Sequence, residues 1–443
     1  MSSPLFQIHS NLILLQITIL ILHSSLFHLL IFLNIKKRRN SYPLVVFKLR
    51  TKCKNTEKNR GFNMSQAYNH VKFLAEEIGP RGSCTTQERK AADYIKDELE
   101  KMSFETKGEE FKAVTSFSWV FGFIYLLFII SALIFPSTPN WGFILALFTF
   151  LGFYLESSTF PLLSRLIPKK SSQNIIATVP ARSKTIRKVI VTAHYDTSRS
   201  ALSFSPKMVK SFRRTYLLMV GAMSIQVILY ALGVFTNISR NLLWALSLPS
   251  VIYLFLTLIL LAHRELAGEY TPGANDNASG VAVLLEVAKV LARFPLLTTT
   301  VTLVATGAEE SGTNGALNFL RSHHPPKDTF IINLDNLGIG KLTAVTQEGI
   351  LGAKNSSLEL LSFAESTAEE KKIDLQFLPY NLLTTDGTVF LMRGYPTMTL
   401  MAFDQEQLLP NWHWPTDRAE FVDPSNLEEA KELVLGIIRK LES

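Results

Sequence analysis

Cysteine is almost missing: Cys53 and Cys84 are the two in a chain of 443 residues. Neither a disulfide framework nor a thiolate zinc site can be built from that pair. No internal repeat or long low-complexity tract stands out. Ionisable residues are scarce inside the long apolar runs, where a transporter would need them along its substrate path. What the chain does have is hydrophobic residues, 47% of the total, gathered in blocks. Its mean hydropathy is positive, as expected of a membrane protein with a soluble part. The net charge of +8 is better assigned to Lys and Arg flanking those blocks than to nucleic-acid binding, and the length allows an ordinary catalytic domain plus something else.

Four of the blocks form two pairs. Phe117 to Phe135 and Trp141 to Leu155 are separated by Pro136 to Asn140; Tyr216 to Phe235 and Leu242 to Ala262 are separated by Thr236 to Asn241. The expected organisation is a membrane hairpin over 117–163 and a second over 215–263, with the run at 141–155 short for a core of ~30 Å. Hairpins return the chain to the side it left, so 64–116, 164–214 and 264–443 form one domain on one face. Arg165, Lys169, Lys170, Lys207, Lys210, Arg213, Arg214 and Arg264 flank that domain, whereas the connecting loops hold only Arg240. By the positive-inside bias the expectation is a multi-pass integral membrane protein with its catalytic domain in the cytosol, a lumenal or outer-face enzyme being the alternative. Two readings stand for residues 1–63: a transmembrane helix over 12–33 followed by basic residues, or an upstream extension with Met64 as the working start.

The remainder reads as α/β. Asn174 to Val179, Lys188 to Ala193, Thr300 to Thr306, Phe330 to Leu334 and Thr397 to Ala402 are short runs of strand character. Helical patterns cover Met64 to Ile78, Thr85 to Met102, Ala278 to Phe294, Gly312 to Ser322, Ser356 to Lys371 and Ser425 to Leu441. Thr85 with Glu88, and Ser425 with Glu428, have the spacing of capping boxes.

Chemistry-bearing residues stand at the ends of those strands. The stretch TPGANDNASG puts Asp276 on a tight turn entering a helix. His194 and Asp196 follow KVIVTA and point to one side of the strand, so Asp196 can orient the imidazole. Glu309 and Glu310 follow TVTLVAT, and Asp335 ends FIINL; adjacent buried carboxylates repel unless a cation or proton compensates. With His413 of NWHWPTD, five candidate ligands are available: His194, Asp276, Glu310, Asp335 and His413. Imidazole and carboxylate without cysteine suit hydrolytic zinc, and two ions ~3.5–4 Å apart need a shared carboxylate. Glu309, beside a ligand, is placed to take a proton from zinc-bound water.

In this order HYDT, GANDNASG, GAEESG, NLDN and WHWPTD resemble the zinc exopeptidase family of clan MH, which includes bacterial leucyl aminopeptidase, aminopeptidase S, glutamate carboxypeptidase II and glutaminyl cyclase. The resemblance spans Met64 to Ser443 apart from the hairpins, and includes IGPRGS near the start. It implies an α/β/α sandwich around a mostly parallel mixed sheet, here interrupted by the two hairpins. It further implies that His194 and Asp335 hold one Zn²⁺, that Glu310 and His413 hold the other, and that Asp276 bridges them. Glu309 matches the general base, and Asp196 the carboxylate supporting the ligand His. Two departures stand out. The second hairpin lies between the HYD motif and the bridging Asp. Asp386-Gly387 replaces an Asp-His, which leaves Asp386 as a pocket residue; Tyr380 has two readings, help to an oxyanion or, preferred, a packed surface tyrosine.

The expected function is a membrane-embedded dinuclear zinc aminopeptidase removing N-terminal residues from peptides, with peptide and membrane lipid as its partners. The alternatives are a carboxypeptidase or glutaminyl cyclase of the same fold, or a catalytically silent membrane scaffold, whose signature would be lost ligands.

Overall fold

The structure, a computed structural model, describes residues 65–442. The run expected to span at 12–33, with the rest of 1–63, lies outside the described residues. Contacts divide the chain into two compact units. The first has Leu127–Leu147 and Thr215–Thr257 as its described parts; the second comprises Met64–Leu126, Phe148–Arg214 and Leu258–Ser443.

The second unit is built on a nine-stranded mixed sheet. In chain order the described elements of both units begin with α1 (Gln66–Lys72), prolonged by a wider turn to Ile78, then α2 (Thr86–Lys101) and β1 (Thr106–Ala113). The apolar helices α3 (Phe117–Ile134) and α4 (Pro139–Ser157) come next, then β2 (Lys170–Val179) and β3 (Arg187–His194). After the apolar α5 (Phe212–Phe235) and α6 (Arg240–Ala267), the chain continues with α7 (Ser279–Arg293), β4 (Thr299–Thr306), α8 (Asn314–His323), β5 (Phe330–Leu334), β6 (Lys341–Glu348) and β7 (Lys354–Asn355). It closes with α9 (Leu358–Lys371), β8 (Gln376–Tyr380), α10 (Asp386–Leu391), β9 (Thr397–Phe403) and α11 (Pro424–Glu442).

The strand order is β1-β2-β4-β3-β5-β9-β6-β7, with β8 also on β6. The centre, β4-β3-β5-β9, is parallel. Both flanks bring in antiparallel partners, so the sheet is more evenly mixed than the expected mostly parallel one. Alternation along each strand explains why helices cover both faces. Ile175, Val189 and Val191 join α1, α2, α7, α9 and α11 in one core, while Ile176, Ile190 and Ile331 pack with α8 and α10 in another. Strand β1 escaped sequence reading because TKGEEFKA is charged. It is an edge strand paired to β2 alone, where charge blocks further strand addition.

Two caps differ from their expected form. Thr85 accepts from the Glu88 amide at 3.2 Å, but the Glu88 carboxylate does not reciprocate: it accepts from Cys84 N, Ser172 Oγ and Ala308 N. At α11 the cap is Asp423, whose Oδ1 accepts from Ser425 N at 2.9 Å, so Ser425 lies inside the helix.

Among the described residues three helices are long and apolar enough to cross a membrane: Phe117–Ile134, Val209–Phe235 (α5 with its preceding turn) and Arg240–Ala267. Helix α4, 19 residues long, is not among them. Within the first unit a polar tie joins these helices, where Gln226 Nε2 donates to Phe128 O and Ser131 Oγ, both at 2.9 Å, and Trp244 Nε1 to Ala132 O at 2.9 Å. In apolar surroundings such bonds between helices hold the packing in register.

Candidate metal centre

Strands β4, β3 and β5 are parallel neighbours, so their carboxyl ends, with the residues that follow, lie along one edge of the sheet. His194 ends β3, Glu309 and Glu310 follow β4, and Asp335 follows β5. Asp276 arrives on the buried turn 274–278 that enters α7, with a cis peptide between Asp276 and Asn277. His413 comes from the loop after β9.

These residues form two overlapping groups of buried donors, His194–Asp276–Asp335 and Asp276–Glu310–His413, with the ligand atoms of each group within 4.8 Å of one another. His194 Nε2 lies 3.2 Å from Asp276 Oδ1 and 3.7 Å from Asp335 Oδ1. His413 Nε2 lies 3.2 Å from Asp276 Oδ2 and 3.1 Å from Glu310 Oε2. Asp276 is therefore common to both groups, offering a different oxygen to each imidazole.

The charge balance is strongly negative. Burial disfavours a charged His413 ring, yet the Glu310 charge and the hydrogen bonds the ring donates to Asp276 and Glu310 push its pKa up to about 9. Burial also opposes the Asp276 carboxylate, but His194 and His413 outweigh it and hold its pKa below the usual range. Burial drives Glu309 well above the ordinary glutamate value, with the His194 charge opposing. Glu310 Oε1 and His413 Nδ1 are buried and without a hydrogen-bond partner. A site that holds protons this tightly and leaves a carboxylate oxygen unmatched favours cations, and its nitrogen and oxygen donors fit zinc.

Surrounding residues fix the geometry. The Asp196 backbone carbonyl, at 3.2 Å, is the hydrogen-bond partner of His194 Nδ1, whereas the Asp196 carboxylate stands 3.6 Å away. That carboxylate instead accepts from Glu309 N, Glu310 N and Ser83 Oγ, and so holds the GAEESG turn. Asn277 Oδ1 accepts from Gly280 N and Asn336 N, and Asn275 Nδ2 donates to Asn336 Oδ1, which fastens the Asp276 turn to the Asp335 loop.

Sequence reading assigned no role here to Asp417 or Arg81. Asp417 accepts from the amides of Asn275 and Asp276. The fully buried Arg81 guanidinium donates to the carbonyls of Tyr195, Pro272 and Gly273, each at 2.6 Å. The available signal was a charge placed among Gly and Pro in IGPRGS, and a second acid four residues past His413. Asp386 is buried near the site; Thr306 Oγ1 donates to its Oδ2, while Oδ1 has no partner, and burial pushes its pKa up to about 7. Tyr380 is buried in an aromatic cluster with Phe403 and Trp412, not at the surface.

Comparison with known proteins adds a family match over part of the chain and a shared fold. Residues 256–438 match the sequence model of Peptidase family M28. That stretch contains Asp276, Glu309, Glu310, Asp335 and His413, while His194 and Asp196 lie upstream, beyond α5 and most of α6. Aminopeptidase YwaD of Bacillus subtilis (strain 168) is 23% identical over 424 residues, covering 87% of this chain and 86% of that protein. A crystal structure of a zinc aminopeptidase from Bacillus subtilis superposes with a TM-score of 0.52 at 18% identity, covering 87% of this chain and 96% of the other. A Zn-dependent exopeptidase from Parabacteroides distasonis gives 0.51 at 16% identity, covering 86% and 99%. A glutaminyl cyclase from Bacteroides thetaiotaomicron gives 0.50 at 15%, covering 86% and 99%. At these identities the structural likeness is one of fold, a mixed α/β architecture around a central sheet.

Proposed function

We propose, from the premise that this chain carries a peptidase family M28 domain, that it is a membrane-embedded aminopeptidase working with two zinc ions. The observation that carries the reading is the two-sided Asp276 carboxylate, one oxygen facing His194 and the other His413. His194 and Asp335 would hold one ion and Glu310 and His413 the other, with Asp276 offering one oxygen to each group. When bound, the pair supplies Lewis acidity, polarising the scissile carbonyl and acidifying a water.

The protein's own residues do the rest. Glu309 accepts the proton of the attacking water and returns it to the leaving amine, so that water and a peptide bond become a free amino acid and a shortened peptide. Asp196 serves twice: its carboxylate holds the backbone amides of Glu309 and Glu310, and its carbonyl orients His194. The apolar helices form two bilayer hairpins, α3 with the shorter α4 as its return leg over 117–163 and α5 with α6 over 215–263, and 64–116, 164–214 and 264–443 make up the peptidase domain. The basic flanks support a cytosolic side for that domain.

The deciding experiment is to purify the full chain in detergent, count its metals, and offer aminoacyl amides beside N-blocked versions and N-glutaminyl peptides. Two zinc ions per chain and cleavage confined to free amines support the proposal. Cleavage of the blocked set alone rejects an aminopeptidase, and pyroglutamyl formation without hydrolysis assigns a cyclase.

A further inference from the structure

The wall beside His413 is aromatic, made by Phe204 and Trp412, and the ends of the apolar helices pack behind it. The Phe204 ring stands edge-on to the His413 imidazole at 4.5 Å and to Trp412 at 4.9 Å. Phe204 also stacks on Phe212 at 5.2 Å, and Phe212 is the first residue of α5. Two ring contacts therefore lead from the candidate metal centre to the first turn of a helix long enough to cross a bilayer.

The other two long helices reach the same neighbourhood. Phe117, the first residue of α3, packs against the cluster that holds Phe204 and Trp412. Over its ring, at 4.1 Å, lies the guanidinium of Arg264 from the last turn of α6. Arg264 is buried and donates to Ser116, Ser118 and Ser198, the last of these two residues beyond Asp196. All of these residues belong to the second compact unit. Around the start of α5, Lys207, Arg213 and Arg214 are exposed, a basic collar of the kind that meets anionic head groups.

We propose that the substrate is a peptide whose C-terminal side is held in the bilayer and whose free N-terminus is trimmed at the membrane surface. This rests on the membrane aminopeptidase reading above. Arg213 and Arg214, exposed in the first turn of α5, set the bilayer boundary beside Phe212, and two aromatic contacts of at most ~7 Å each bring the site within roughly 15 Å of that residue. An extended residue covers ~3.3–3.6 Å, so about four residues between the anchor and the scissile bond are enough to reach. A freely diffusing peptide gains nothing from such placement, whereas an anchored one is presented at high effective concentration.

The test uses the full chain reconstituted in phosphatidylcholine–phosphatidylglycerol vesicles. One N-terminal sequence is offered free, or with a C-terminal dipalmitoyl anchor behind spacers of about four, eight, sixteen and thirty-two residues. The expected result is that the shortest anchored spacers are trimmed, with kcat/KM at least about tenfold above the free peptide. Equal rates for free and anchored peptides, or trimming only with spacers of sixteen residues and beyond, would overturn it. Turnover of a free aminoacyl amide by the same vesicles reports the peptidase chemistry separately, and resistance to alkaline carbonate extraction reports the membrane span. With both in hand, a missing short-spacer preference counts against this proposal alone.

Discussion

Asp417 sets one carboxylate oxygen 2.7 Å from the Asn275 amide and the other 3.0 Å from the Asp276 amide. A side chain with no place among the donors thus decides where the shared carboxylate stands. Asp417→Ala removes both acceptors from a buried turn, so the backbone amides lose their partners and Asp276 loses its register. Zinc affinity is expected to fall about 10- to 100-fold. Titration of the metal-stripped protein against buffered zinc checks this, and Asp417→Asn, which keeps one acceptor but turns an amide toward the other N–H, should fall between.

Arg81 works on the same turn from the other side. Its guanidinium bonds five carbonyls, those of Leu74, Gly79, Tyr195, Pro272 and Gly273, and so ties the N-terminal helices to the segments carrying His194 and Asp276. Burial lowers its pKa to about 10, with Asp417 opposing, which leaves it charged at neutral pH. Arg81→Met strands buried carbonyls and should cost roughly 3 kcal/mol or more. Arg81→Lys, with three donors on one atom, should recover only part of that. Thermal unfolding in detergent, read side by side for the two variants, measures the difference.

How much of this was legible in the sequence follows from how each feature is encoded. The parallel centre of the sheet and the carboxylates at its edge are visible because a buried strand is an unbroken β-branched run, and a charge at its end is conspicuous. Strand β1 is not, because an edge strand is selected for charge. The roles of Asp196 divided in a way no spacing reveals: period-two geometry puts its carboxylate on the His194 side, but two backbone amides of the GAEESG turn compete for that carboxylate and take it. Arg81 and Asp417 act on backbone groups far away in the chain, and backbone partners leave no side-chain signature to pair them with. The same holds for Phe204, whose place beside His413 depends on how the segment before α5 folds back.

In the proposed mechanism Glu309 does chemistry without holding metal. It lies outside both groups of candidate ligands, although its neighbour Glu310 is inside one. Glu309→Gln keeps size and hydrogen-bonding capacity but cannot accept a proton, so turnover should drop by about 10²- to 10⁴-fold while the metal count stays at the wild-type value. Metal content and steady-state rates on one preparation check both halves. A loss of metal in proportion to activity would reassign Glu309 as a ligand.

Cys84 offers a pH-dependent test away from the metal centre. Its thiol is partly buried beside Glu88, and burial first, then the charges of Glu88 and Asp196, push its pKa up to about 12. The thiolate is the reactive form, so alkylation by iodoacetamide is expected to be slow at pH 7 and to rise about tenfold per pH unit. The rise should continue without levelling up to pH 9.5, because the pKa lies above that range. An ordinary thiol would level off near ~8.5. Mass spectrometry of the tryptic peptide from Gly82 to Arg89, which contains Cys84 and not Cys53, follows the reaction at that residue alone. A plateau below pH 9 would mean that the thiol is solvated and that the α2 entry turn opens in solution.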